Sequence, residues 1–257
     1  MDVLGETHRE GVVRPKPGAG ALLQQLRTPS IPIGGVIFDL CGVLYDDSAW
    51  QRWLLRLLNR VGLHTTAISF FRLWRREYLS QVACGSIDYW TALRQFLAAC
   101  GLPRGQIDEV TAAAHARWHE LQEDVYPLPN VPQTLAKLRQ HKVRMGLVCS
   151  DWLDTNAIQR RLVRLHMAHY FDWRLAATEL PGDVYTLLGK AVERLQLSAP
   201  RIAYVGRDAQ CLRAADRLGL QPVAFNYDED AIAAIYLDSF ADLLSRLPLE
   251  TALARAG

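Results

Sequence analysis

Three regimes of hydrophobic patterning follow one another along the chain. From Ile33 to Phe38 the run is short, apolar and β-rich, as a buried strand would be, and it delivers an aspartate, Asp39. From Ser48 onward the period lengthens. SAWQRWLLRLLNRVG, TTAISFFRLWRREYLSQVACG, SIDYWTALRQFLAACG and PRGQIDEVTAAAHARWHELQE each carry apolar residues three and four apart. Ser48, Thr65 and Ser86 stand where N-caps would, and Gly62, Gly85 and Gly101 where helices stop. The stretch predicts an all-helical block over 47–126.

After Tyr126-Pro127 the period changes again. VPQTLAKLRQ predicts a helix, VRMGLVCS a strand and NAIQRRLVRLHMAHYF a helix. WRLAAT, RIAYVG and QPVAF predict strands; DVYTLLGKAVERL and AQCLRAADRLG predict the helices between them, and a last helix falls near SFADLLSRL. Near-continuous apolar strands alternating with helices predict a parallel sheet covered on both faces. The fold class is therefore α/β, a doubly wound parallel sheet made of residues 31–46 and 127–257, with a helical cap, 47–126, inserted after the first strand. Residues 1–30, with RPKPGAG and TPSIP, predict a flexible lead-in holding one short helix at ALLQQLR.

Composition changes this picture little. At 257 residues the chain suffices for one well-buried core, or for a core plus a smaller accessory domain. A net charge of +2 gives no reason to expect nucleic acid or a membrane surface as partner. The expected partner is a small-molecule substrate or an anion. Five cysteines make an odd count without paired spacing, which points to free thiols in a reducing, cytoplasmic setting. The first residues, MDVLGETHREGVV, show no apolar signal core, and no run of about 18 apolar residues predicts a membrane span.

In an open parallel sheet, ligands bind beyond the carboxyl ends of the strands. Those ends carry Asp39 and Cys41, then Ser150 and Asp151, then Gly206, Arg207 and Asp208. One carboxylate nucleophile, one hydroxyl and a polar loop should meet in one crevice.

These residues sit in three recognisable motifs. FDLCGVLYD resembles the first motif of the haloacid dehalogenase superfamily, a strand ending in Asp-x-Asp-Gly. YPLPNVPQTLAKLRQHKVRMGLVCSD resembles the approach to the second, a strand ending in Ser or Thr, and YVGRDAQCLRAADRLGL resembles the fourth. The resemblance spans residues 33–226 and includes that family's helical cap. It implies that the first aspartate attacks phosphorus or carbon to form a covalent aspartyl intermediate. It further implies a second aspartate as acid/base, a Ser or Thr holding the transferred group, a lysine neutralising charge and fourth-motif acids holding magnesium.

Asp39 fits the nucleophile and Ser150 the second motif; the rest departs. The acid/base position is Cys41, and the two fourth-motif acids fall on Arg207 and Cys211, leaving Asp39 and Asp208 as candidate magnesium ligands. The third-motif lysine is replaced in Glu179-Leu180-Pro181, and Lys190 lies about 13 Å further along the helix axis at about 1.5 Å per residue. Lys190 is thus either a relocated third motif or an ordinary helix lysine. Magnesium wants hard oxygen ligands, and an arginine beside it repels, so weak magnesium binding is expected. Arg207 is expected instead to pair with Asp39 and to grip an anion alongside Ser150 and Asp151.

Cys41 is read as a proton-transferring thiol or as a small loop filler; Cys41 with Cys211 as a redox or soft-metal pair is a further reading. His115 and His119, four apart on one helix face, are metal ligands or cap surface. Five of the seven tryptophans fall in the helical block and predict its core, with one or two facing the crevice or a dimer contact. Gly34-Gly35 precedes its strand, so it is no dinucleotide loop, and Gly189-Lys190 lacks the rest of a phosphate loop. Three functions stay open. One is a hydrolase acting on a small phosphorylated or activated substrate. The others are a catalytically inactive binding protein and a metal-free dehalogenase-like enzyme.

Overall fold

The computed structural model describes residues 31–249 apart from 84, 124 and 181. The helix expected at ALLQQLR lies outside the described residues. Six strands form one sheet: β1 (Gly35–Asp39), β2 (Arg144–Cys149), β3 (Trp173–Ala176), β4 (Ile202–Gly206), β5 (Gln221–Phe225) and β6 (Ile235–Leu237). Their order is β3-β2-β1-β4-β5-β6 and every pairing is parallel. The short β6 was not expected; three residues, IYL, carry too little pattern to stand out before they pair with β5.

Side chains alternate across this sheet with the two-residue period of a strand. Val36 and Phe38 enter one core layer and Ile37 the other. The first layer is closed by α6 (Val131–Gln140), α7 (Thr155–Arg164) and the terminal α10 (Leu243–Arg246). The second is closed by α8 (Val184–Leu195) and α9 (Ala209–Arg217). Both faces are covered, which is why the strands read as continuous apolar runs.

Between β1 and α6 the chain forms α1 (Ser48–Arg60), α2 (Ala67–Leu73), α3 (Ser80–Ala83), α4 (Tyr89–Ala99) and α5 (Arg104–Glu123). This cap has a core of its own, with Trp50, Leu54, Phe70, Trp74, Leu93 and Phe96 among its buried members. The expected stops hold: Gly62, Gly85 and Gly101 have φ of +88°, +74° and +88°, which a side chain would strain. The expected starts shift. Asp47 precedes α1, whose first residue is Ser48; Thr66 caps α2 and Asp88 caps α4, each accepting from backbone N–H groups of the first turn. A cap must combine extended backbone with a side chain reaching those N–H groups, and Thr66 and Asp88 do both.

Two other helical runs are less regular than their spacing predicts. The run from Thr65 to Gly85 is interrupted by a π-helical segment, Trp74–Leu79, between α2 and α3. NAIQRRLVRLHMAHYF breaks after α7, where His166 adopts φ +55° and a 3-10 turn, Ala168–Tyr170, follows. Among the described residues, no helix is long and apolar enough to cross a membrane.

Candidate active site

The strand order reverses direction of growth beside β1, between β1 and β4, and there the sheet leaves a crevice at its carboxyl edge. Asp39 ends β1, Ser150 and Asp151 follow β2, and Arg207 and Asp208 follow β4. All five line one cavity of about 300 Å³, together with Cys41 and Cys211. Trp50, Trp74, Arg75 and Tyr89 of the cap line its other side, and the π-helical segment supplies Trp74 and Arg75.

Asp39 is 3% exposed. Leu40 N–H donates to its Oδ1 at 2.8 Å, and the Ser150 hydroxyl donates to Oδ2 at 3.1 Å. The Tyr204 hydroxyl reaches the same Oδ2 at 3.4 Å. Tyr204 has room for its ring because Gly206 has no side chain; a Cβ there would meet the ring at 2.6 Å. Burial raises the Asp39 carboxyl from 3.8 to about 7, helped by the charges of Asp151 and Asp208 and opposed by the Leu40 and Ser150 hydrogen bonds.

Cys41 sits at the mouth of the loop after β1, its Sγ 3.2 Å from the Tyr45 hydroxyl. A hydrogen bond with Cys149, then burial, then the Asp151 charge push its thiol well above the ordinary value. Burial does the same to Cys211, with Asp208 and Asp39 adding. Both thiols therefore stay protonated at neutral pH and are weak proton donors.

Arg207 makes a different ion pair from the one expected. Its Nη1 lies 3.4 Å from both oxygens of Asp47, in the segment entering α1. Burial works against the guanidinium charge, but Asp47, Asp228 and Asp151 outweigh it and the pKa rises. The guanidinium also lies against Gly42, at φ +69°, where any side chain would collide with it. Asp39, whose carboxyl is pushed up to about 7, carries less negative charge to attract the guanidinium.

Lys190 points away from all this. Its ammonium is 3.0 Å from Glu193 on the exposed face of α8 and does not line the cavity. The third-motif place instead holds Glu179, which accepts from Thr155 N–H at 2.7 Å and Thr155 Oγ1 at 2.6 Å at the start of α7. His115 stacks on Trp90 with centroids 3.6 Å apart, as cap surface; the His119 side chain lies outside the described residues. Asp47, Tyr204, Arg75 and Trp152 escaped the sequence reading. Tyr204 alone left a local signal, a hydroxyl within an otherwise aliphatic strand.

A sequence profile described as haloacid dehalogenase-like hydrolase matches residues 36–225. The chain belongs to this family. Among proteins of curated function none matches. Among solved structures, it is similar to a predicted phosphoglycolate phosphatase from Haemophilus somnus, at TM-score 0.61 and 19% identity, over 84% of this chain and 98% of that one. A HAD-superfamily hydrolase, subfamily IA, from Geobacter sulfurreducens aligns at TM-score 0.60 and 18% identity, over 83% and 95%. L-2-haloacid dehalogenase from Xanthobacter autotrophicus aligns at TM-score 0.57 and 14% identity, over 87% and 99%. At such identities the likeness is one of fold.

Family membership raises the question of magnesium, and the residues present do not fit it. A guanidinium and a buried thiol, Arg207 and Cys211, stand at two acid positions of the haloacid dehalogenase pattern. Asp208 spends its Oδ1 on the N–H groups of Gln210 and Cys211, at 2.8 and 3.0 Å, as the cap of α9. Among the described residues, no group of three or more His, Cys, Asp or Glu is arranged to hold a metal ion. A hard dication needs several oxygen ligands, and here Asp39 would be nearly alone.

Proposed function

We propose that the protein is a hydrolase that uses Asp39 as a covalent nucleophile, without a divalent ion, on a small anionic substrate with a good leaving group. The observation that carries this reading is the Asp39 carboxylate lining the cavity, with the Ser150 hydroxyl 3.1 Å away. Ser150 would turn its hydrogen bond to the transferred group, and Arg207 would hold that group's negative charge.

Leaving-group chemistry narrows the substrate class. A thiol at position 41 with a pKa pushed well up is a much weaker general acid than the carboxylic acid it replaces, and gives a departing alkoxide little help. Halide, phenolate or an acyl-phosphate carboxylate leaves unassisted, so activated phosphates and 2-halocarboxylates suit the site and simple alkyl phosphates do not. A second reading, an anion-binding protein without turnover, draws support from the same thiol and from the raised Asp39 pKa.

The test is a panel of p-nitrophenyl phosphate, acetyl phosphate, 2-chloropropionate and an alkyl phosphate, in EDTA and in magnesium. Wild type is expected to consume an activated member in EDTA and Asp39→Asn to consume none. Turnover that survives in Asp39→Asn, or that requires magnesium, overturns the proposal. Binding of an anion with no turnover of any member leaves the second reading in its place.

A further inference from the structure

Covalent hydrolysis has a second half, in which water must lose a proton as it attacks the aspartyl intermediate. The residue two places after the nucleophile, Cys41, cannot accept that proton as a neutral thiol. Another group has to.

Six carboxylates line the cavity: Asp39, Asp46, Asp47, Asp151, Asp183 and Asp208. Four are committed elsewhere. Asp46 accepts from Ser48 N–H at 2.8 Å and from the Ser48 hydroxyl. Asp183 caps α8 through Thr186 N–H at 3.0 Å, Asp208 caps α9, and Asp47 carries Arg207. Asp151 remains beside the nucleophile.

Its position follows from the sheet. β1 and β2 run parallel with Asp39 level with Val148, so the loops that leave them emerge side by side. Asp151 comes directly after Ser150, whose hydroxyl is already on Asp39. It is half-buried rather than sealed, so water and substrate reach it from the cavity.

We propose that Asp151 is the general base of this chain, a carboxylate supplied by the loop after β2 in place of the one missing after β1. The proposal rests on the covalent role of Asp39. In the first step an Asp39 oxygen bonds to the substrate carbon or phosphorus, and the leaving group departs with the bonding pair. In the second, water bonds to the intermediate while its proton passes to an Asp151 oxygen. The bond to the Asp39 group breaks, the carboxylate is regenerated, and Asp151 releases the proton to solvent. The sum is one substrate and one water converted to an alcohol or phosphate, the leaving-group anion and one proton. The electrostatics agree: Asp151 is the largest charged influence on Asp39, and the Cys41 thiol hydrogen-bonds to it.

The experiment uses whichever activated panel substrate wild type consumes, and compares wild type, Asp39→Asn, Asp151→Asn and the double variant Cys41→Asp/Asp151→Asn. Each is followed by leaving-group release and by intact mass of the quenched protein, with thermal melting to verify folding. Asp151→Asn is expected to keep a burst of one leaving group per chain, to accumulate a covalent adduct on Asp39, and to turn over about 10²- to 10⁴-fold more slowly. The double variant, with a carboxylate back at position 41, is expected to recover most of the lost turnover and to clear the adduct. Unchanged turnover in Asp151→Asn overturns the proposal, as does loss of the burst together with turnover in a folded Asp151→Asn. A burst that persists in Asp39→Asn, or a wild type inert to the whole panel, sinks the Asp39 reading itself.

Discussion

The floor and the roof of the cavity are built by opposite means. The floor comes from the ends of β1, β2 and β4, where backbone register does the positioning. Ser150 and Asp39 are 111 positions apart along the chain, and the parallel ladder brings them to 3.1 Å. The roof has no ladder and is held by rings. Trp50 meets Trp118 edge-on at 4.6 Å, Tyr89 lies 5.0 Å from both Trp118 and Trp152, and Trp50 Nε1 donates to the Tyr89 hydroxyl at 3.0 Å. Trp152 joins the two, since it follows Ser150 and Asp151 yet packs into the aromatic cluster of the cap. Chemistry placed by a ladder depends on the packing beneath the strand ends, whereas a shape made of rings governs which substrates fit.

Asp39→Asn would sharpen the contrast most. Turnover is expected to fall by at least about 10³-fold, read on the activated substrate panel. Stability should move the other way. In the fold Asp39 holds its proton up to about pH 7, against an ordinary value of 3.8, so its favourable contribution is complete below that lower value and is lost as pH rises through 7. The asparagine variant lacks this loss, and urea unfolding should find it more stable by up to about 4 kcal/mol at pH 9 and little changed at pH 4. In wild type the rate should rise with pH through about 7, as the nucleophile ionises.

Next come paired truncations of floor and roof. Phe38→Ala, at a fully buried position beneath the nucleophile, is expected to cost about 3–5 kcal/mol and to lower turnover with it. Trp118→Ala should cost about 3 kcal/mol while the smallest substrate keeps its turnover number and larger ones lose affinity. Equal damage to turnover from both would break the distinction. Gly42→Ala is expected to cost about 1–3 kcal/mol, from its positive φ and the collision with Arg207, and denaturant titration would show it. Lys190→Ala is the smallest: it removes an exposed pair with Glu193, so stability should move by less than about 1 kcal/mol and activity not at all.

Local pattern reached as far as local physics does. Five of the six strands, the glycine stops of three cap helices and the meeting of Asp39, Cys41, Ser150, Asp151, Arg207 and Asp208 at one edge were all legible, because each follows from periodicity or from strand direction. The π-helical turn at Trp74–Leu79 was not, since it leaves the spacing of apolar residues close to that of an α-helix. Nor was Arg207's choice of Asp47, because an arginine stem reaches several acids and only the packed site sets which of them it meets.

By itself the chain of residues determined a doubly wound sheet, a helical insertion after the first strand, and an aspartate delivered to the sheet's carboxyl edge. Hydrophobic burial with a period of two or of three to four residues dictates that much. Only the folded structure decided which carboxylates are spent on caps and ion pairs and which one faces the cavity beside the nucleophile. Proton affinity depends on burial and on charges that arrive from distant parts of the chain, and those distances come into being when the sheet closes.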